Sequence, residues 1–126
     1  MMTLDDFRAA RKVLDGVLHR TDLMYSPFFT KTTGNHAYIK PENMQVTGAY
    51  KIRGAYFKCS TLTEEEKAKG LVTASAGNHA QGVAYAAQAA GVAATIVMPT
   101  TTPLVKVNNT KDYGAKVVLH GETFDD

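Results

Sequence analysis

The stretch LVTASAGNHAQGVAYAAQAAGVAATIVMPTTTP, residues 71–103, decides the fold. An apolar strand, LVTA, precedes the turn SAGN, a helix predicted over residues 79–90, and a second apolar strand, AATIVM. A helix predicted over residues 104–113 and the strand KVVLH continue the alternation. Short apolar runs joined by helices are typical of parallel strands that are buried on both faces. The sequence therefore predicts an α/β fold with an open, mainly parallel sheet and flanking helices.

Upstream of this stretch the predicted elements are shorter. A Thr-x-x-Asp capping box and apolar residues at helical spacing predict a helix over residues 4–15. The polar stretch HRTDLMYSPFFTKTTGNH is interpreted as a connector to a strand at residues 37–40, and ENMQVTG as a loop. Helical phasing resumes over about residues 50–62, and a second capping box, Thr-x-x-Glu, opens a short helix that ends at Gly70.

Composition limits the classes of function. The chain has 126 residues, 44% of them hydrophobic, and a net charge of +2, which fits one domain or part of a larger one. Its basic residues are dispersed, so no nucleic-acid partner is expected. Without a secretory signal or a long apolar run, neither export nor a membrane partner is expected. The single Cys59 and four scattered histidines indicate a reducing, cytoplasmic location and no metal site.

The turn SAGNHAQG lies where a strand of the predicted parallel sheet ends, at the edge where open α/β sheets bind ligands. Backbone N–H groups and the positive end of a helix dipole there indicate an anion site. Gly77 permits close approach or a positive φ, and Ser75, Asn78 and His79 offer polar side chains. In the alternative interpretation, Ser75 and Asn78 only cap the helix. The turn alone does not decide between the two.

Lys51 follows the tripeptide GAY at the start of a predicted helix. The helix dipole and partial burial there would favour the neutral amine, which can form a Schiff base with a carbonyl. A solvated surface charge is the alternative. Tyr50 is placed to cover an aromatic ligand, and Arg53 can bind an anion, although a solvated helix charge is its more common role. Cys59 falls on the apolar phase of its helix, which predicts a buried, inert thiol.

Three segments carry a resemblance to a known family: KPENMQVTGAYKIRGA at residues 40–55, TASAGNHAQGVAYAA at 73–87 and ATIVMPTTTPLVKV at 94–107. Together they resemble the serine/threonine dehydratases, the threonine ammonia-lyase family of pyridoxal-phosphate enzymes. HRTDLMYSPFF and YGAKVVLHGETFDD extend the resemblance over almost the whole chain. It implies a two-domain, tryptophan-synthase-β-like fold, in which residues 1–48 join the large domain and residues 49–126 form most of the small α/β domain.

The resemblance also implies particular roles. Lys51 would form a Schiff base with pyridoxal phosphate and then take the Cα proton of the substrate, Tyr50 would lie near the cofactor ring, and Asn78 would hydrogen-bond its 3′-oxygen. The implied reaction converts L-threonine to 2-oxobutanoate, or L-serine to pyruvate, with release of ammonia. A homo-oligomeric full-length enzyme is expected, in either isoleucine biosynthesis or threonine breakdown. The substrate carboxylate would be held by the residues of the turn: Ser75, Ala76, Gly77, Asn78 and His79.

The sequence departs from the family pattern at several points. Ala49 stands where many relatives carry serine, and Asp22 where many carry proline. Ala76 stands where related serine racemases carry a serine that acts as a base, which favours dehydration over racemisation. No two of the ten glycines are adjacent, so the glycine run that cradles the cofactor phosphate is expected elsewhere in the enzyme. Residues 1–126 are therefore expected to be an N-terminal part with little activity alone; the alternatives are a noncatalytic binding or assembly module, a serine racemase and a β-replacing synthase.

Overall fold

The computed structural model describes residues 1–123 and 125–126. Its helices and strands alternate along most of the chain, as the sequence predicts for an α/β protein. In chain order the elements are α1 (Leu4–Leu14), β1 (Met24–Tyr25), α2 (Pro27–Thr33), β2 (Tyr38–Ile39), a 3-10 turn (Glu42–Met44), α3 (Lys51–Ser60), α4 (Glu64–Lys69), β3 (Leu71–Ala74), α5 (Asn78–Ala90), β4 (Ala94–Met98), α6 (Leu104–Asp112) and β5 (Lys116–Leu119).

A parallel sheet with the strand order β3-β4-β5 forms the centre of the fold. β3 and β5 both pair in parallel with β4, which confirms the predicted sheet. Alternate residues of β4 are buried, whereas β3 and β5 contain no buried residue, so the expectation of strands buried on both faces is wrong. The alanines of α5 let that helix pack closely on the sheet. The buried core consists of Ala80, Ala84, Ala87, Ala94, Ile96, Met98, Val107 and Ala115.

Helices α3 and α5 pack closely and run in the same direction. Near the start of both helices, a Cβ atom on Gly82 would lie 3.2 Å from the Ile52 Cα and 3.3 Å from its nitrogen. Further along both helices, the Cys59 thiol donates to the Ala86 carbonyl at 3.6 Å. Because the contacts follow the same order along both helices, their N-termini lie at the same end of the pair. Glycine at residue 82 permits this approach because any side chain would meet backbone atoms.

The stretch interpreted as a connector contains regular structure, so that interpretation is wrong. β1 and β2 form a two-residue antiparallel ribbon, and α2 lies between them. Pro27 begins α2, Ser26 caps it by accepting from the Phe29 N–H at 3.3 Å, and Gly34 ends it with a φ of 72°. These residue types suggested a turn, yet here they mark the two ends of a helix. The other predicted helices and strands are confirmed to within two residues of their ends.

Burial divides the chain into two regions. Among the described residues, every buried one lies between Gln45 and Ala115. α1, α2, β1 and β2 contain no buried residue, although they carry large apolar side chains such as Phe7 and Phe28. We call residues 1–44 the N-terminal region and residues 45–115 the core region. None of the helices in the described ranges has the length and apolar character needed to cross a bilayer.

Candidate functional site

The beginning of α3 and the beginning of α5 lie at the same end of the helix pair. Lys51 is the first residue of α3, and Asn78 is the first residue of α5. The Ser75 N–H donates to the Val97 carbonyl at 3.0 Å, so the turn SAGN continues directly from the carboxyl end of β3. The structure thus places Tyr50 and Lys51 at the same end of the molecule as the predicted anion-binding turn. Parallel sheets bind ligands at this edge.

The turn leaves the first N–H groups of α5 without a side-chain cap. The Ser75 hydroxyl accepts from the Gly77 N–H at 3.3 Å, and no side chain caps α5 within the described chain. The alternative in which Ser75 and Asn78 cap the helix is therefore wrong. Gly77 has a φ of −152°, so of the two possibilities stated for this glycine, close approach and a positive φ, the structure does not use the positive φ. Uncapped N–H groups at a helix start can bind an anion.

Lys106 is a residue of this site that the sequence analysis missed. It lies in the first turn of α6 and is half-buried. A Cβ atom on Gly77 would lie 3.8 Å from the Lys106 Nζ, which is an ordinary van der Waals distance, so that amine lies beside the turn. The sequence position of Lys106 could have indicated this placement. Lys106 follows β4 and its loop, and that loop lies at the same sheet edge as the turn SAGN. The amine adds a positive charge next to the uncapped N–H groups.

The side chains of Tyr50 and Lys51 are exposed. The partial burial expected of Lys51 is wrong, because the next residue, Ile52, takes the buried position on α3. Lys51 forms no ion pair with any residue that the structure describes. In the preceding loop, Ala49 and Thr47 are buried, and the Thr47 hydroxyl has no hydrogen-bond partner among the described residues. Lys51 therefore presents its amine at the start of α3, directly after a loop that contains the buried residues Thr47 and Ala49.

His79 lines a cleft between α3, α5 and β3 that holds about 260 Å³. The cleft is largely apolar and also contains Cys59 and Val83. The predicted burial of Cys59 is confirmed, and this burial raises the pKa of the thiol, which disfavours the reactive thiolate. Five residues were predicted to bind substrate. His79 also lines this neighbouring cleft. The other four form the turn itself: Ser75, Ala76, Gly77 and Asn78.

Arg53 binds an anion, as one of the two sequence interpretations allowed, and is not a solvated helix charge. Its guanidinium binds the Glu42 carboxylate, with Nη2 2.7 Å from Oε1 and Nε 3.0 Å from Oε2. Hydrogen bonds from Arg53, helped by one from Thr21, lower the pKa of Glu42 to about 2. The anion that Arg53 binds is therefore part of the same chain. The pair joins the core region to the N-terminal region.

A second, wider groove of about 910 Å³ lies between α1, α3 and the segment that connects α1 to β1. Apolar side chains of α1 and Phe57 form much of its wall, and Arg53 also lines it. Neither Lys51 nor any residue of the turn SAGN lines this groove. The groove is therefore separate from the candidate site.

Comparisons with known proteins identify the family. Residues 14–126 match the family described as "Pyridoxal-phosphate dependent enzyme". The chain is 53% identical to the L-threonine ammonia-lyase of Thermotoga maritima, over all of this chain and 31% of that protein. Its fold is similar to that of maize serine racemase, with a TM-score of 0.90 and 37% identity over 98% of this chain and 37% of that one. Threonine deaminase isoform 2 from Solanum lycopersicum gives a TM-score of 0.82 and 42% identity, over 98% of this chain and 36% of that one.

The chain therefore belongs to the pyridoxal-phosphate dependent enzymes. It has the mixed α/β fold, with a parallel sheet, of its tryptophan-synthase-β-like neighbours, and it spans about a third of the length of the relatives that it matches. The residues present fit the cofactor of the family. A free amine, an exposed phenol ring and an exposed amide, from Lys51, Tyr50 and Asn78, lie at one end of a helix pair. An amine of this kind reacts with an aldehyde, and the ring and amide can meet an aromatic cofactor.

Proposed function

We propose that this chain is the Lys51-bearing part of a pyridoxal-phosphate-dependent threonine ammonia-lyase. Such an enzyme converts L-threonine to 2-oxobutanoate and ammonia, and we extend the proposal to L-serine, which would give pyruvate and ammonia. The observation that carries it is the placement of Lys51 and the uncapped turn SAGN at the same end of the α3–α5 pair. The 53% identity to a threonine ammonia-lyase supports this choice of substrate.

Lys51 would hold the aldehyde carbon of the cofactor through its Nζ and later take the proton from the substrate Cα. When bound, pyridoxal phosphate supplies an electron sink for the negative charge that develops at that carbon. The Tyr50 ring would cover the cofactor ring, since it is exposed immediately before Lys51. The Asn78 amide would donate to the 3′-oxygen of the ring from the first position of α5.

The substrate carboxylate would bind at the turn formed by residues 75–79. The free N–H groups of α5 and the positive end of its dipole favour a negative group there. Lys106 would add a full positive charge beside Gly77. Because an ammonium and a helix start repel each other unless an anion lies between them, the bound carboxylate would stabilise both.

A serine racemase is the second candidate, and the similarity of the fold to maize serine racemase favours it. Ala76 argues against this candidate. A racemase must return a proton to the opposite face of Cα, and the Ala76 methyl group has no proton to transfer. Dehydration needs no such second base, so the ammonia-lyase is the better fit.

We also propose a division of the enzyme into two domains. Residues 1–48 would join a large domain, and residues 49–126 would form most of the small domain. The absence of buried residues over 1–44 supports this division, because the apolar side chains there need a further surface to cover them. The full enzyme would be a cytoplasmic homo-oligomer, and residues 1–126 alone would have little activity. The buried, unpaired Cys59 is consistent with a reducing compartment.

The test is turnover by the polypeptide in its full encoded length. We expect release of 2-oxobutanoate from L-threonine, and Lys51→Ala should lower it by at least about a thousandfold because the amine that holds the cofactor is lost. Lys58→Ala removes an exposed lysine of the same helix and should leave turnover unchanged. Full turnover by Lys51→Ala would contradict the proposal. Conversion of L-serine mainly to D-serine would favour the racemase, and absence of any reaction would favour a noncatalytic module.

A further inference from the structure

Arg53 and Glu42 form a two-point ion pair between the first turn of α3 and the segment that precedes it. Two N–H groups of one guanidinium meet the two oxygens of one carboxylate, at 3.0 and 2.7 Å. The two side chains are only 30% and 17% exposed, so solvent and salt screen the pair less than a surface pair. Paired N–H to oxygen bonds fix the orientation of the partners as well as their distance.

A second set of hydrogen bonds ties this pair to residues 19–21. The Arg53 Nη2 also donates to the Thr21 hydroxyl at 3.1 Å and to the His19 carbonyl at 3.3 Å, and the Thr21 hydroxyl donates to Glu42 at 2.6 Å. Thr21 has a φ of 48°, which a β-branched residue rarely adopts. Such a backbone persists where its surroundings hold it, and here the Lys40 amine also donates to the Thr21 carbonyl at 2.8 Å.

The network continues into the loop that leads to Lys51. The side-chain amide of Gln45 donates to the His19 carbonyl at 2.8 Å, and its oxygen accepts from the His19 N–H at 2.9 Å. Gln45 is buried, as are Thr47 and Ala49 further along the loop. The loop is therefore anchored before α3 begins.

Lys51 lies between this anchored loop and two anchored neighbours. Ile52 is fully buried against the backbone at Gly82, and Arg53 is held by Glu42. We propose that Arg53 is a positioning residue for Lys51: by binding Glu42 it fixes the first turn of α3, and so the point from which the Lys51 amine reaches the cofactor. This inference rests on the proposed function.

Arg53 acts through the backbone and not by contact with the cofactor. Residues two positions apart on a helix point to different faces, so the Arg53 and Lys51 side chains leave α3 in nearly opposite directions. The Nε and Nη2 donors of Arg53 are already directed to Glu42, Thr21 and His19. The consequence of losing Arg53 should therefore be a misplaced amine, with the site residues themselves unchanged.

The experiment measures how fast the apo form of the full encoded polypeptide captures pyridoxal phosphate on lysine, followed by absorbance after mixing and normalised to folded protein by circular dichroism. Arg53→Met should slow capture by about ten- to a hundredfold, because small displacements of a reacting group have large effects on rate. Arg53→Lys, which keeps one charged donor, should recover part of that loss. Arg20→Met is the matched control, since Arg20 pairs with Asp22 in solvent, with both side chains about 80% exposed. It should capture the cofactor at the wild-type rate.

Steady-state kinetics give a second readout. Loss of positioning should lower kcat for L-threonine and leave KM nearly unchanged, because the carboxylate site at the turn is intact. If folded Arg53→Met captures the cofactor at the wild-type rate and only its melting temperature falls, Arg53 is merely structural and the inference is wrong. If Arg53→Met does not fold, the same measurement is made on Glu42→Gln. Slower capture of the cofactor would support the inference, and capture at the wild-type rate would contradict it. Failure of the folded wild-type protein to capture the cofactor would instead overturn the proposed function, and the inference with it.

Discussion

The N-terminal region and the core region are specified in different ways. In the N-terminal region, α1 has a capping box, α2 is capped by Ser26, and β1 and β2 pair across a short ribbon, so its structure arises from local interactions. In the core region, parallel strands meet through long crossovers and bury the side chains between them. Caps therefore define helices without supplying a core. A capped helix with an exposed apolar face gains little stability until that face is covered.

The same contrast bears on the domain proposal. The core region buries its own apolar surface, whereas Leu23, Phe28 and Tyr38 of the N-terminal region are each more than half exposed. Contiguous exposed apolar surface marks a place where another surface binds. Since the chain spans about a third of the length of its relatives, we propose that the remaining length provides that surface.

The largest expected difference between the regions is in how much the free energy of unfolding falls when a large apolar side chain is truncated to alanine. Ile96 is fully buried in β4, so Ile96→Ala should destabilise the 126-residue chain by about 2–5 kcal/mol through lost burial and a cavity. Phe7 is 61% exposed on α1, so Phe7→Ala should cost less than about 0.5 kcal/mol. Urea unfolding at pH 7 measures both. Equal losses in the free energy of unfolding would show that α1 is packed as tightly as the core, which would contradict the difference between the two regions.

A second prediction concerns the ion pair that joins the regions. Because Arg53 lowers the pKa of Glu42 from 4.5 to about 2, the ionised carboxylate stabilises the folded state. This contribution, roughly 3 kcal/mol, is fully present above about pH 4.5 and is lost as the pH falls towards 2. Glu42→Gln should therefore lower stability at pH 7 and flatten its dependence on pH below 4.5.

The measurement is urea unfolding from pH 2.5 to pH 7, values chosen to span about two units on either side of the ordinary glutamate pKa. Glu65→Gln is the control, because the Glu65 side chain is 80% exposed in its pair with Lys69. It should follow the wild-type curve closely. A Glu42→Gln variant that loses stability in acid as steeply as the wild type would show that the pair does not couple the two regions.

A third prediction compares two helical glycines within the core region. Gly82→Ala would place a Cβ atom 3.2 Å from the Ile52 backbone, so it should cost about 1–3 kcal/mol by pushing α3 from α5. A Cβ atom on Gly54 would meet no atom of the described residues within 4 Å, so Gly54→Ala should stabilise the chain by about 0.5–1 kcal/mol. Thermal unfolding of the two variants distinguishes them. Stabilisation by Gly82→Ala would mean that α3 and α5 are further apart than described.

The smallest expected effect separates the two capping boxes. In each box the threonine N–H lowers the pKa of the partner carboxyl, Asp6 for α1 and Glu66 for α4. Thr63→Ala should lower the melting temperature by roughly 4–8 °C, because α4 leads directly into β3. Thr3→Ala should reduce helical circular dichroism with almost no change in melting temperature. A comparable fall for both variants would show that α1 unfolds together with the core.

Much of the core region could be predicted from the sequence. The apolar runs before SAGN and after Gly91 predicted the strands β3 and β4, although only β4 of these two contains buried residues, and α5 follows from its alanines. The ends of α2 could not be separated from a turn, since Pro27 and Gly34 serve in either structure. A local sequence pattern does not predict contacts between distant parts of the chain. It therefore did not indicate whether other residues would bury the apolar faces of the N-terminal helices and strands.

For the candidate site, residue type and position indicated Lys51 and the turn, but not their surroundings. Lys106 lies beside Gly77 only because α6 begins at the same sheet edge as α5. The partner of Arg53 is eleven residues away in sequence, and Thr21 is further still, so the network depends on tertiary structure. The exposure of Lys51 likewise follows from the burial of Ile52, which fixes the rotation of α3.

The most direct test of the proposed function is to find which lysine holds the cofactor. The full encoded polypeptide is incubated with pyridoxal phosphate, reduced with borohydride and digested, and the pyridoxyl label is located by mass spectrometry. We expect a label on Lys51 and none on Lys58 or Lys106. A label on another lysine, with Lys51 unmodified in folded protein, would contradict it.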